Sequence, residues 1–355
     1  MGEPKEALDN IDSLKNIDIQ GMMALVGRLP DMMEEGWALS EAADIPKTGK
    51  INNLIISGMG GSAISGDIIS IILRNKADIP VFINRNYGCP KFVNSGTLFI
   101  ALSYSGNTEE TISAFKGALQ TGAKVISVAS GGELKELSVK NKVPFIEIPK
   151  GLPPRAALGY LLSSALNILS RCGIISMKAD IDEAMKLMKQ LSRKYGPSNP
   201  LRENEVKQMA VRLHGKIPVI FACEGTTYAA ALRWKTQLSE NSKMTAILSV
   251  FPELDHNDLV NFSFLRPGEH DFSFVVLRDD EDLERMKKRI EVTKSLISGN
   301  VGGIAEVWSQ GKSLLARMMS LIFYGDHLSV YLAALSGIDP TPVEIIEKLK
   351  KELSR

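Results

Sequence analysis

Cysteine is scarce in this chain of 355 residues: Cys89, Cys172 and Cys223 stand far apart and are odd in number. They form neither a CxxC pair nor a disulfide framework, the usage of a reduced, cytoplasmic protein. An excess of one charge is missing too. The 42 basic and 41 acidic side chains are interleaved to a net charge of +1, so no basic field exists to draw nucleic acid. The N-terminus lacks the basic-then-apolar order of an export signal, and Glu6 stands where a myristoylation signal wants Ser or Thr. No export or lipid anchor is expected. No long apolar run is free of charge either. The longest, Ser313 to Leu335, is interrupted by Arg317, Asp326 and His327, which argues against a membrane span and for a buried helix.

What is present is the balance of a packed protein, 44% hydrophobic and 23% charged, at a length that suits two domains. Between about Ile19 and Ile45 apolar residues recur at helical spacing, with Pro30 expected to split them into two short helices. After a turn at Lys47, Thr48 and Gly49, strand-like runs at Asn53, Val81, Leu98, Lys124 and Pro144 alternate with helical stretches from Ser62, Thr108 and near Leu134. This alternation predicts a parallel, doubly wound sheet covered on both faces. From Pro154 to about Leu213 the pattern is helical, broken at Gly173, Pro197 and Pro200. Runs at Pro218, Thr245, Phe272 and Gly302 then alternate with helices from Thr226 and Glu281, and two helices close the chain. IISGMGGSAISGDI and IFACEGTTYAAAL echo one another as strand, glycine-containing turn and helix, which suggests a duplication.

Two loops carry chemistry. Gly58, Met59, Gly60, Gly61, Ser62 and Ala63 end a strand and open a helix, where glycines permit close backbone approach and free N–H groups attract an anion. The same segment fits the dinucleotide fingerprint GxGxxA, but Asn84, Arg85 and Asn86 stand where an acid would hold the ribose. NAD is disfavoured, and Arg85 leaves NADP as an alternative. A glycine turn serving packing alone is the plainer reading. The second loop, Ser103, Tyr104, Ser105, Gly106, Asn107, Thr108, Glu109 and Glu110, offers three short hydroxyls within six residues. Asn107 or Thr108 is expected to cap the following helix. Capping alone explains Thr108 and Glu110 but not Ser103 and Ser105, which suit a neutral phosphate cradle. Gly311, Lys312 and Ser313 mimic the end of a P-loop, yet Glu306 replaces its first glycine, so ATP is not implied.

GMGGSAISGD followed by LSYSGNTEET resembles the sugar isomerase (SIS) domain, in which a serine and threonine loop holds the phosphate of a phosphosugar. PPRAALGY, LSENSKMTA, FPELDHNDLV, SLLARMMSLIFYGDHLSVYLA and DPTPVEIIEKLK, in that order, resemble the bifunctional phosphoglucose/phosphomannose isomerases over nearly the whole chain. The resemblance implies an α/β protein of two doubly wound parallel-sheet domains, SIS-type and flavodoxin-like, with bridging and flanking helices. The expected divisions are an N-terminal helical segment over 1–48, a first, phosphate-binding SIS domain over 49–153, bridging helices over 154–200, and a second SIS domain with a C-terminal helix over 201–355. It further implies interconversion of glucose 6-phosphate, and mannose 6-phosphate, with fructose 6-phosphate through an enediol, without metal or cofactor. A homodimer with the active site between subunits is implied as well.

Such an isomerisation needs a base, a ring opener and a cation. By resemblance Glu240 is the base that shuttles the proton, although helical periodicity alone would leave it a solvated acid at a helix end. His256 corresponds to the ring-opening histidine, donated across the dimer interface; Glu253, Asp255 and Asp258 beside it could suggest a metal, but one histidine without HxxxH spacing argues poorly for that. Arg155 matches the arginine that stabilises the enediolate, and otherwise begins a helix. Lys350 aligns with a lysine that helps ring opening, with Lys348 and Lys351 as alternatives of register and a solvated basic helix end as the plainer reading. Phosphate contacts carry over to Gly61, Ser62, Ser103, Ser105 and Thr108. A non-catalytic phosphosugar sensor is the competing reading, since SIS domains occur in regulators, though no DNA-binding segment is evident here.

Overall fold

The computed structural model describes residues 8–46, 49–266, 271–301 and 303–353. Glu6, Lys47, Thr48 and Gly302 lie outside the described residues.

Three helices open the described chain: α1 (Ile11–Ile17), α2 (Met22–Gly27) and α3 (Leu29–Ala42). Pro30 sits in the first turn of α3, where its missing N–H forfeits no bond. Then β1 (Asn53–Ser57), α4 (Gly61–Leu73), β2 (Val81–Asn84), β3 (Thr97–Ser103), α5 (Glu109–Leu119), β4 (Lys124–Ala129), α6 (Gly132–Lys140) and β5 (Phe145–Glu147) alternate as the periodicity predicts. A 3-10 turn at Pro154–Ala157 leads into α7 (Leu158–Arg171), α8 (Lys178–Tyr195) and α9 (Glu205–Leu213), with Gly173, Pro197 and Pro200 between helices. The second alternation runs β6 (Ile217–Cys223), α10 (Tyr228–Glu240), β7 (Ile247–Phe251), α11 (Asp258–Phe264), β8 (Phe272–Arg278), α12 (Glu284–Ile297) and β9 (Ile304–Trp308). It ends in α13 (Leu314–Leu335) and α14 (Glu344–Leu353). The segment after Pro252, read from sequence as a polar turn, forms a 3-10 turn at Glu253–His256 and then α11.

These elements gather into two compact units, both discontinuous in sequence. The first comprises Arg28–Lys189 and Gln310–Ser320, the second Met1–Gly27, Gln190–Ser309 and Leu321–Arg355.

The sheet of the first unit has the order β2-β1-β3-β4-β5, parallel throughout. Helices on both faces let β3 be buried at every position, and Ile55, Phe99, Phe115, Val125 and Leu134 form one core cluster. α3 and α7 are joined by a bond from Ser164 Oγ to the Gly36 carbonyl at 3.0 Å.

The second unit repeats the plan with four parallel strands in the order β7-β6-β8-β9. Its core centres on Phe221, whose ring lies 5.4 to 5.8 Å from those of Phe251, Phe262 and Phe274. α10 is held tightly to α13: Trp234 stacks on Tyr324 at 5.4 Å and donates from Nε1 to the Leu321 carbonyl at 2.7 Å. Gly325 makes this approach possible, because a Cβ there would fall 2.1 Å from Trp234 Cδ1. Beside it Arg233 Nε and Nη2 donate to the two carboxylate oxygens of Asp326, each at 2.8 Å, in a pair about 3% and 2% exposed. α13 is long and apolar enough to cross a membrane by length and composition, but 94% of its most apolar window is buried within the protein. That burial is what the charges along it require.

Candidate active site

In each sheet the first strand lies where the strand order reverses, β1 between β2 and β3, β6 between β7 and β8. Ligands of doubly wound sheets bind at the carboxyl ends of the strands at such a point. In the first unit both loops singled out from sequence meet that rule. Gly58–Ala63 follows β1, Ser103–Thr108 follows β3, and the two strands are paired up to Ser57 and Ala101.

The helices that these loops open, α4 and α5, have no side-chain cap, so their first N–H groups keep no side-chain acceptor. The expected cap by Thr108 or Asn107 is therefore corrected. Thr108 occupies the N-cap position, but its hydroxyl lies 2.9 Å from that of Ser103. Asn107 Oδ1 instead accepts the Glu133 N–H at 2.9 Å, in the first turn of α6. The Ser103 hydroxyl also accepts the Gly106 N–H at 3.1 Å, and the exposed Ser105 hydroxyl accepts the Asn107 N–H at 3.2 Å. Gly61 is the first residue of α4 and Ser62, buried, the second. The hydroxyl loop is thus tied by its own bonds before any ligand arrives.

A third loop backs it. The Ser130 N–H donates to the Tyr104 carbonyl and the Leu134 N–H to the Gly106 carbonyl, both at 2.9 Å. Gly106 has φ +71° and lies so close to this loop that a Cβ would sit 1.8 Å from the Gly131 carbonyl oxygen. Gly106→Ala is expected to destabilise the protein by about 1–3 kcal/mol or more, from the left-handed backbone and the clash together. It should weaken phosphate binding measured by calorimetry at least tenfold. Unchanged melting and unchanged binding would show that the loop is not held in this way.

Arg155 is brought to the same place. It lies in the 3-10 turn Pro154–Ala157, 4% exposed, and a Cβ on Gly61 would be 3.5 Å from the Pro154 carbonyl oxygen and 3.6 Å from Arg155 Cα. The approach to this turn is fastened by Tyr104, whose phenol oxygen accepts the Leu152 N–H at 2.7 Å. Sequence reasoning passed over Tyr104, which merely separates two serines; only its place between two hydroxyl positions marked it.

The remaining predicted residues belong to the second unit. Glu240, half-exposed, is the last residue of α10. The turn after it is stitched to α13: Asn241 Nδ2 donates to Ser329 Oγ at 2.9 Å and Ser242 Oγ to the Ser329 carbonyl at 2.6 Å. Lys243 Nζ donates to the carbonyls of Glu240, Asp339 and Pro340 at 2.8, 3.2 and 3.0 Å. His256 is exposed at the end of its 3-10 turn. Its acidic neighbours are engaged elsewhere, Asp255 with Arg289 and Thr293 at 2.8 Å each, Asp258 with Ser249 at 2.6 Å, and Glu253 with Asn257 at 3.0 Å. Among the described residues no group of three His, Cys, Asp or Glu is placed to hold a metal. Lys348, Lys350 and Lys351 are all exposed on α14, a helix with no buried residue.

The second unit's own crevice, between the ends of β6 and β8, is filled from within. Thr226 donates to Asp282 Oδ1 at 2.6 Å, and Cys223 Sγ lies 3.5 Å from Asp282 Oδ2. Burial, and then the neighbouring Asp282, raise the Cys223 thiol far above its ordinary pKa.

A family described as the bacterial phospho-glucose isomerase C-terminal SIS domain matches residues 202–353. The bifunctional phosphoglucose/phosphomannose isomerase of Caldicellulosiruptor bescii is 42% identical over 335 residues, 94% of this chain and 99% of that protein. The chain belongs to this isomerase family. A further member, from Thermoplasma acidophilum, is 40% identical over 87% of this chain and 92% of that protein. Among solved structures, a hypothetical protein of Thermus thermophilus is similar with a TM-score of 0.73 over 99% of this chain and 96% of the other, at 18% identity. That likeness speaks to the fold.

Membership in the phosphoglucose/phosphomannose isomerases agrees with how the decoy motifs are used. Arg85, the residue that left NADP open, pairs with the carboxylate of Asp67 on α4. At the P-loop mimic, the N–H groups of Lys312 and Ser313 donate to Glu183 at 2.6 and 3.0 Å, so a carboxylate of the chain holds the start of α13. Burial opposes charge on Glu183, but these bonds lower its pKa.

Proposed function

We propose that the protein interconverts glucose 6-phosphate, and mannose 6-phosphate, with fructose 6-phosphate. The observation that carries this reading is the gathering, in one unit, of the hydroxyl loop, the uncapped helix starts and the turn of Arg155. Gly61, Ser62, Ser103, Ser105 and Thr108 hold the phosphate, and the guanidinium of Arg155 balances the negative charge that grows on the enediolate. Glu240 takes the proton from C2 and returns it to C1. His256 opens the ring and Lys350 assists. Oxidation levels are exchanged between C1 and C2 of one sugar, so the reaction as written calls for no redox cofactor and no metal.

The protein acts in this reading as a cytoplasmic homodimer, with His256 supplied to the partner's site. The support is that His256 faces outward while the acids around it are occupied within their own unit.

A coupled assay with each hexose phosphate tests the activity. Turnover of both aldoses is expected, and saturable binding without turnover would leave a phosphosugar-binding protein instead. Mixing the Glu240→Gln and His256→Gln variants under subunit exchange should restore part of the activity. Failure of exchanged mixtures to recover any would reject the shared site.

A further inference from the structure

The second unit contains a cavity of about 360 Å³ whose lining includes none of the residues used by the isomerase reading. Its apolar wall includes Leu14, Met23, Val330 and Ala334, and exposed Lys15 stands at its rim. Asp18 also lines it, but both of its carboxylate oxygens are used, accepting the Met22 and Met23 N–H groups at 2.7 and 2.8 Å to cap α2.

One polar group remains. His327 lines the cavity from α13, is 2% exposed, and has its Nδ1 2.8 Å from the Phe323 carbonyl oxygen. A carbonyl only accepts, so Nδ1 carries the proton and Nε2 is left as an acceptor. No hydrogen bond from a described residue reaches Nε2. Phe323 meets the ring edge-on at 4.4 Å and Tyr195 at 6.0 Å, fixing its plane. Burial pulls the imidazole pKa down to about 4, so the ring is neutral near pH 7. The cavity therefore offers apolar walls and a single uncharged acceptor, a combination that admits one donor and no net charge.

We propose that this cavity is a binding site for an uncharged apolar alcohol or phenol whose hydroxyl donates to Nε2 of His327. Dry cavities of roughly 150 Å³ accept benzene, so the volume here leaves room for an alkyl-substituted phenol.

The test uses the full chain with 4-propylphenol and its methyl ether, which has the same apolar body and no donor. Calorimetry or ligand-observed NMR should give saturable binding of the phenol at least tenfold tighter than of the ether. His327→Phe keeps an aromatic ring but no acceptor and should bring the two compounds to equal affinity. Ala334→Phe fills the cavity and should abolish binding of both. Equal affinities in the unaltered protein, no saturable binding to it, or a preference that survives in a folded His327→Phe variant would each overturn the proposal. The comparison of the two compounds on the unaltered protein decides the matter even if a variant fails to fold.

Discussion

Glu240→Gln is expected to lower turnover of glucose 6-phosphate about a thousandfold while leaving KM within roughly threefold, within the range assigned to general acid–base catalysis. Glutamine preserves the shape and most of the hydrogen bonding of the side chain, but it cannot accept a proton from one carbon and return it to the next. The backbone should be unaffected, because the turn carrying residue 240 is fixed through Lys243, Asn241 and Ser242 and not through the carboxylate. The discriminating measurement is exchange of the C2 deuterium with solvent, which should vanish with turnover while binding seen by calorimetry persists. Full activity in this variant would remove Glu240 from the mechanism.

Asp326→Ala is expected to destabilise the second unit strongly. It takes the bidentate carboxylate away from Arg233 in a place about 3% exposed, and breaking a buried pair from one side typically costs about 3–5 kcal/mol. Gln237 Nε2, which donates to the same carboxylate at 3.1 Å, loses its acceptor as well. Since α10 carries both Arg233 and Glu240, activity should fall along with stability. Urea denaturation of the variant measures the loss. The double variant Arg233→Met with Asp326→Leu should regain most of it, because an apolar pair of similar volume avoids the stranded charge. A single-variant loss under about 1 kcal/mol, well below the usual range for a broken buried pair, would mean that other groups already neutralise Arg233.

The strands and the helices between them were legible because their signals are local: β3 and β6 are buried along almost their whole length and read as continuous apolar runs. The two loops of the first unit were legible for a related reason, since glycine and hydroxyl residues at a strand end have few other uses. What escaped depends on contacts distant in sequence. Asn107 looks like a cap for α5, yet it serves α6, because the neighbouring loop comes within reach only after folding. Tyr104 meets Leu152 across 48 positions, and no periodicity reports such a bond. The acids around His256 were read as one cluster, but Asp255 turns to α12 and Asp258 to β7. The chain also contributes widely separated segments to each unit, and no composition shift marks Gly27, Lys189, Ser309 or Ser320 as crossing points.

The bond between Thr226 and Asp282 has a consequence for how many phosphates the protein can hold. A phosphate arriving at the crevice of the second unit would compete with a carboxylate tethered to the same chain. Tethering keeps that rival at an effective concentration of about millimolar or more. It would also meet like charge from Asp279 and Asp282, both almost wholly buried. The first unit leaves the corresponding position to whatever ligand comes; the second carries a captive anion of its own. Two sheets wound in the same order thus give the molecule a single address for phosphate, and a sugar can be read in only one direction.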